Sequence, residues 1–542
     1  MRMHRQAATA GRIAGVTIPL FSVRTQRSWG IGQITDLPAM AELARGAGLG
    51  LVQLLPLGEG SGGSTSPYAA LSAFGIDWIY IDCEALPGFG EASVRATLGD
   101  DGLALLRRLR ERATIDYPAV RALKLRVLRA AYDAFWAREA ETQGPLGQAF
   151  IEFMTESAEW LDNLALFRAL KDAHHGHAWW DWPAPLRDRH VAALADARRH
   201  LDRDVLFHKY VQWVADFQWS GARRQVRALG IELMGDLPFM VDRDSADVWA
   251  HRGEFKMDMS VGVPADQFDE DGQDWGMPPY DWEVMAKDGF RWLRRRCAHA
   301  GHLFDRFRID HLVGFYRTYM RPYARRKDAK GKLVPGTFSP AIEAAQLAHG
   351  ERVITAMIEG AASTGARLIA EDLGCIPEYV PPSLERMGVP GYKVLIWEKV
   401  DAGADKGAFK DPRTYPALSV ACFGTHDTDS VVTWWEGQPT DERQAACKLL
   451  GVDPKATPKA MMPAIHRALL RTILGARSEL VLLLIQDVLG TRERINKPGT
   501  LGDHNWSYRL PAPLETLARD PGVQAKVAMV RECVLQSGRA RG

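Results

Sequence analysis

Eight short runs rich in leucine or β-branched residues recur along the chain, most of them separated by stretches with helical periodicity. They are AGVTIPL (14–20), GLVQLLPL (50–57), IELMGDLPFM (231–240), FDRFRID (304–310), ARLIAEDL (366–373), YKVLIWE (392–398), LSVACFG (418–424) and LVLLLIQD (480–487). Strands alternating with helical segments such as 341–364 and 458–475 mark parallel βα units. Eight such units predict an α/β protein with a (β/α)8 barrel.

The spacing is uneven. Between the second and third runs lie about 170 residues, too many for an ordinary connection, so the barrel must carry a large insertion there, assigned to 84–205. The segments ALLRRLRERA, RALKLRVLRAAYDAFWAREAE and 150–170 have apolar residues three and four apart and few glycines, so the insertion reads as largely helical. It is either a separate inserted domain or a helical subdomain that shields one side. Shorter loop insertions are expected at 253–283 and 313–340. Two loops, GEGSGGSTSPY (58–68) and RKDAKGKLVPGTFSP (326–340), are rich in small or turn-forming residues. Both follow predicted strands, on the barrel face where active sites are built.

Charge narrows the partner. The 68 basic and 67 acidic residues are mixed along the chain and leave a formal net charge of +1, which gives no electrostatic reason to expect nucleic acid or an anionic membrane. The longest apolar stretch, from Leu480, meets a polar pair after six residues and is too short to span a bilayer. The six cysteines lack CxxC or metal-ligand spacing, so neither a disulfide framework nor a zinc site is indicated and a cytoplasmic location is expected. The basic start has no clear cleavage pattern.

Carboxylates recur at the C-terminal ends of four predicted strands: Asp236 in MGDLPF, Asp310 in FRIDH, Glu371 in IAEDLG and Asp427 in FGTHDTD. One such acid is ordinarily a helix cap or a solvated loop residue. Four on one rim point to a site, because a retaining glycosidase needs one carboxylate as nucleophile and another as acid/base. Within RFRIDH, Arg308 and Asp310 stand two apart and so share a strand face, where the guanidinium would keep the carboxylate ionised. Sugars also need flat apolar surfaces, and Trp275, Tyr280 and Trp282 cluster in DGQDWGMPPYDWE, whose Gly, Pro, Asp and Gln read as a surface binding loop.

Other chemistries fit less well. GAGLGLVQ places its glycines before a strand rather than after it, and GEGSGGSTS lacks the lysine of a phosphate-gripping loop. His311, His426 and His504 are isolated, so no catalytic metal and no cofactor is expected.

These motifs, in this order, resemble the 4-α-glucanotransferases called amylomaltases or disproportionating enzymes, of the wider α-amylase clan. The resemblance runs from about Gly15 to Arg509 through SPY (66–68), GDLPFMV (235–241), SADVWA (245–250), GVPADQF and GQDWGMPPYDW (262–282), RIDH (308–311), AEDLG (370–374), GTHD (424–427), and NKPGT with NW (496–506). It implies a barrel with inserted subdomains and no C-terminal β-sandwich, acting on malto-oligosaccharides or α-glucans. It further implies Asp310 as nucleophile, Glu371 as general acid/base and Asp427 as a third carboxylate that binds sugar hydroxyls. Tyr68 would stack beneath the sugar, His426 would hydrogen-bond it, Arg308 would hold Asp310 ionised, Asp236 and Trp275 would line the cleft, and Asn505 would lie nearby. The chain departs from the family pattern at Leu312-Val313, Thr428, Ser430, Trp397 and Leu333, all beside the catalytic groups or in acceptor loops. Besides a transferase, a predominantly hydrolytic α-glucosidase of the same clan and a non-catalytic glucan-binding protein are the alternatives.

Overall fold

Each of the eight apolar runs overlaps one strand of a single parallel sheet: β1 (Ile13–Thr17), β2 (Leu51–Gln53), β3 (Glu232–Leu237), β4 (Arg306–Ile309), β5 (Arg367–Ala370), β6 (Gly391–Val394), β7 (Ser419–Cys422) and β8 (Leu480–Leu484). The structure, a computed structural model, describes residues 5–6, 11–60, 64–140, 144–265, 272–403, 405–453, 457–500 and 502–540. Residues 61–63 of the glycine-rich loop, 266–268 of GVPADQF and Asp271 lie outside the described residues.

The strand order is β6-β7-β8-β1-β2-β3-β4-β5, with every pair parallel. The sheet curls until its two edges meet. There the Ala370 N–H donates to Pro390 O at 2.9 Å, and the Tyr392 N–H donates to the Asp372 carboxylate at 2.6 Å. The result is the (β/α)8 barrel the strand pattern predicts. Its interior is packed rather than hollow: Ile13, Leu51, Met234, Ile369, Val394, Val420, Leu480 and Leu482 form one buried cluster drawn from seven of the eight strands. On β4 the alternation of side chains decides everything that follows. Phe307 and Ile309 pack outward into the core, and Arg306 and Arg308 take the opposite face.

Between β2 and β3 the chain runs through helices Glu91–Glu111, Tyr117–Phe135, Pro145–Glu156, Ala158–Ala173 and Val191–His200, then the long helix Asp202–Ala228 that leads into β3. The second begins where the Asp116 carboxylate accepts the Ala119 N–H, with proline in its first turn. An aromatic cluster of Phe135, Phe150, Tyr210 and Trp213 joins this helix to the third and to the long one. Among the described residues no helix is long and apolar enough to cross a membrane.

A second sheet was not legible in the sequence. Strands Gln273–Asp274, Met259–Val263, Thr318–Pro322 and Thr337–Ser339 form a four-stranded antiparallel sheet in that order. It unites the excursions after β3 and β4 into one layer. It also corrects the reading of the aromatic loop. Tyr280 is 1% exposed and donates to Phe239 O at 3.0 Å, and Trp282 is 6% exposed and donates to Thr318 Oγ1 at 3.0 Å. Both are core residues, and only Trp275 of the three faces outward.

Candidate active site

Register builds the site. Asp236 on β3 pairs with Arg308 on β4, and Ile309 on β4 pairs with Ala370 on β5, so the next residues, Asp310 and Glu371, emerge side by side at the C-terminal rim. Adjacent strands lie about 4.8 Å apart, the scale on which two carboxyl groups can work on one bond.

Arg308, only 5% exposed, ties three groups together. Its Nη1 donates to both oxygens of Asp236 at 2.8 and 2.7 Å, and its Nη2 meets Asp310 Oδ1 at 2.8 Å. Burial works against its charge, yet the Asp236 and Asp310 carboxylates outweigh burial and hold the guanidinium firmly protonated. Tyr68 closes the network: its hydroxyl donates to Asp236 Oδ2 at 2.9 Å and lies 3.0 Å from His426 Nε2. The two rings stack at 5.6 Å and 15°.

Glu371 is held differently. Its Oε2 accepts the His311 N–H at 2.7 Å and its Oε1 accepts the Leu373 N–H at 2.9 Å. Burial, reinforced by the negative charge of Asp310, pushes its carboxyl up to about 8, although Arg308 and the two amides pull the other way. Two neighbouring carboxyls are thereby set apart. Asp310 is paired with a cation, and Glu371 carries a proton at neutral pH. His311 adopts the left-handed conformation (φ 44°), and burial pushes its imidazole down to about 4, so the ring is neutral.

Asp427 stands across the opening, partly exposed. Its Oδ1 accepts from Asn496 Nδ2 at 2.6 Å, and its Oδ2 lies 3.4 Å from His426 Nε2. A cleft of about 630 Å³ runs over the rim, lined by Tyr68, Trp275, Asp310, His426, Asp427, Asn496 and Trp506 among others. Asp236 and Arg308 lie beneath this surface, and Glu371 shows 8% of itself to solvent.

Of the nine residues that the family resemblance points to, the structure brings eight together at the rim. The exception is Asn505: its Oδ1 accepts the Lys497 N–H at 2.8 Å and its Nδ2 donates to Thr500 O at 2.8 Å, so its amide is spent shaping the loop rather than facing the cleft. Asn496 and Trp506 were missed as individual residues. They sit inside NKPGT and NW, but nothing in those strings reveals that Asn496 grips Asp427 or that the Trp506 ring lies 5.7 Å from Tyr68. Of the departures from the family pattern, Leu312 and Val313 are buried and place no side chain in the cleft. The described residues hold no cluster of three or more His, Cys, Asp or Glu suited to a metal ion.

Comparisons with known proteins agree with this geometry. A family model described as 4-α-glucanotransferase, glycoside hydrolase family 77, matches residues 18–515. The 4-α-glucanotransferase of Chlamydia pneumoniae is 30% identical over 93% of this chain and 92% of its own length. That of Thermus thermophilus is 33% identical over 84% and 87%. Among solved structures, the amylomaltase from Streptococcus agalactiae in complex with acarbose superposes with a TM-score of 0.80 at 25% identity, covering 98% of this chain and all of that one. With the family model spanning nearly the whole chain and the barrel rim carrying its carboxylates, this chain belongs to the 4-α-glucanotransferase family.

Proposed function

We propose that the chain moves α-1,4-glucan segments between malto-oligosaccharides by double displacement, with Asp310 as nucleophile, Glu371 as acid/base and Asp427 as the carboxylate that grips sugar hydroxyls. An Asp310 oxygen attacks the anomeric carbon as the glycosidic C–O bond breaks, and the Glu371 proton passes to the departing oxygen. The 4-hydroxyl of an acceptor glucan then attacks the same carbon, gives its proton to the Glu371 carboxylate and releases Asp310. Two inversions leave the α configuration unchanged. The observation that carries this reading is the pairing of an arginine-bound carboxylate with a protonated, amide-held carboxyl on adjacent strands at one level. Tyr68 and Trp275 offer ring surfaces along the cleft, and Asp427 with His426 supplies the polar contacts. The acarbose bound by the Streptococcus neighbour supports a malto-oligosaccharide in this cleft. All six cysteines are free, in keeping with a reducing cytoplasm.

Purified maltotriose tests the activity. A ladder of longer and shorter oligosaccharides plus glucose, formed without metal or nucleotide, is expected; glucose and maltose with no longer product would replace transfer by hydrolysis. An activated glucosyl fluoride should label Asp310, and Glu371→Gln should lose most activity on maltotriose while remaining folded. Label on another carboxylate, or an active Glu371→Gln enzyme, overturns the roles.

A further inference from the structure

We propose that His311 is a positioning residue for Glu371: its left-handed backbone aims its own N–H at the acid/base carboxyl, and the packing of its ring between Phe239 and Trp275 holds that conformation. This rests on the reading of Glu371 as acid/base. Five described non-glycine residues have positive φ, and His311 is the one that directly follows the proposed nucleophile. A left-handed residue is strained because its Cβ crowds the backbone, so surrounding contacts must over-determine it. Those contacts are present. The Phe239 ring meets the imidazole edge-on at 5.4 Å, and the Trp275 ring does so at 5.1 Å and 86°. The turn is further pinned on both sides: Asp310 N–H donates to Leu237 O at 3.0 Å, and Leu312 N–H donates to Glu371 O at 3.0 Å.

With φ at 44° the chain reverses immediately after Asp310, and the His311 amide reaches Glu371 Oε2 at 2.7 Å. Asp310 and the group that orients Glu371 are therefore consecutive residues. The same turn fixes the nucleophile relative to the proton donor. Trp275 lines the glucan cleft and also braces the imidazole, so the side chain that meets sugar shares a wall with the device that aims the acid. The imidazole does this as a neutral ring, so it adds no charge to Glu371. The charged groups that face Glu371 are Arg308 on β4 and Asp310 just after it, with Asp236 on β3 behind the arginine.

An amide that donates to a carboxyl oxygen stabilises the ionised form, so its loss raises the pH at which the acid gives up its proton. His311→Val is disfavoured in the left-handed region by its branched Cβ, whereas His311→Asn tolerates that region. The valine variant is expected to lose about tenfold to a hundredfold in kcat, with the basic limb of the kcat/KM profile moved upward by roughly 0.5–1 pH unit, as loss of one of two amide donors implies. The asparagine variant is expected to keep the limb in place and most of kcat. A basic limb unmoved in His311→Val, or moved equally in His311→Asn, overturns the proposal. If the valine variant does not fold, His311→Ala carries the test: a smaller upward shift supports the proposal and an unmoved limb overturns it. Failure here with an inactive Glu371→Gln enzyme sinks only the role of His311; an active Glu371→Gln enzyme sinks the acid/base reading beneath it.

Discussion

Asp236 and Arg308 are register partners on neighbouring strands, and Arg308 Nη1 sits 2.8 and 2.7 Å from the two oxygens of Asp236, leaving Nη2 for Asp310. The guanidinium is thus divided between a buried acid, Asp236, and a partly exposed one, Asp310. Its planar fork makes this possible, since a lysine ammonium could not present two fixed edges to two carboxylates. Asp236 fixes the arginine, the arginine orients Asp310, and Tyr68 links the same acid to His426 and from there to Asp427.

Breaking this pair from one side should be expensive. Arg308→Met leaves Asp236 buried without its cation, and such losses cost about 3–5 kcal/mol. The double variant Arg308→Met, Asp236→Asn removes both charges and should recover a large part of that loss. Urea denaturation of the two single variants and the double checks it, and strict additivity would show that the two residues act independently.

Asn496 offers a test of the third carboxylate. Asn496→Ala removes the 2.6 Å contact to Asp427 Oδ1 and frees the side chain to leave the sugar. A hydrogen bond to a charged group contributes about 1.5–3 kcal/mol, so kcat/KM for maltotriose should fall roughly ten- to a hundredfold. Because the partly exposed Asp427 can still be solvated, thermal stability should hardly change. A variant with native kinetics would show that Asp427 is positioned without Asn496.

The barrel was legible because leucine-rich or β-branched runs alternate with helical segments, and each of the eight runs overlaps one strand. Asp310 and Glu371 were legible because each directly follows a strand, whose end fixes both position and direction. What escaped reading depends on contacts between distant segments. The sheet joining Met259–Val263 to Thr318–Pro322 pairs residues some sixty positions apart, and neither strand alternates clearly enough to reveal a partner. Tyr280 and Trp282 sit among glycines and prolines that mimic a surface loop, yet both are buried among other aromatic rings. Asn505 carries the residue type of a sugar ligand, but its amide is consumed within its own loop, which only coordinates can reveal.

Trp275 and Trp282, seven residues apart, should therefore respond in opposite ways. Trp282→Ala opens a cavity beside Tyr280 and Phe315 and removes the bond that Thr318 Oγ1 accepts; aromatic truncations of this kind cost about 3–5 kcal/mol. Its Tm should fall sharply. Trp275→Ala removes a cleft wall and should raise KM for longer oligosaccharides with a small change in Tm. Calorimetry and initial rates on the pair separate the two, and a stable Trp282→Ala protein would contradict its assignment to the core.

The pH profile tests the electrostatics of the whole rim. Glu371 is protonated below about 8, so wild-type kcat/KM should fall on the alkaline side near that pH as the proton donor is lost. Replacing Arg308 by Met removes a positive charge that favours the ionised form of Glu371. Glu371 must be protonated to donate, and without the arginine it keeps its proton longer, so the basic limb moves to higher pH. An opposite charge within roughly 4–6 Å displaces a carboxyl by about 1–3 units, which bounds the movement, and Asp236 reduces it by sharing the guanidinium. The maximum rate falls because Asp310 is no longer oriented. An arginine that served only as scaffold would lower activity evenly across pH, so a folded Arg308→Met enzyme with the basic limb unmoved would remove the electrostatic role assigned to it.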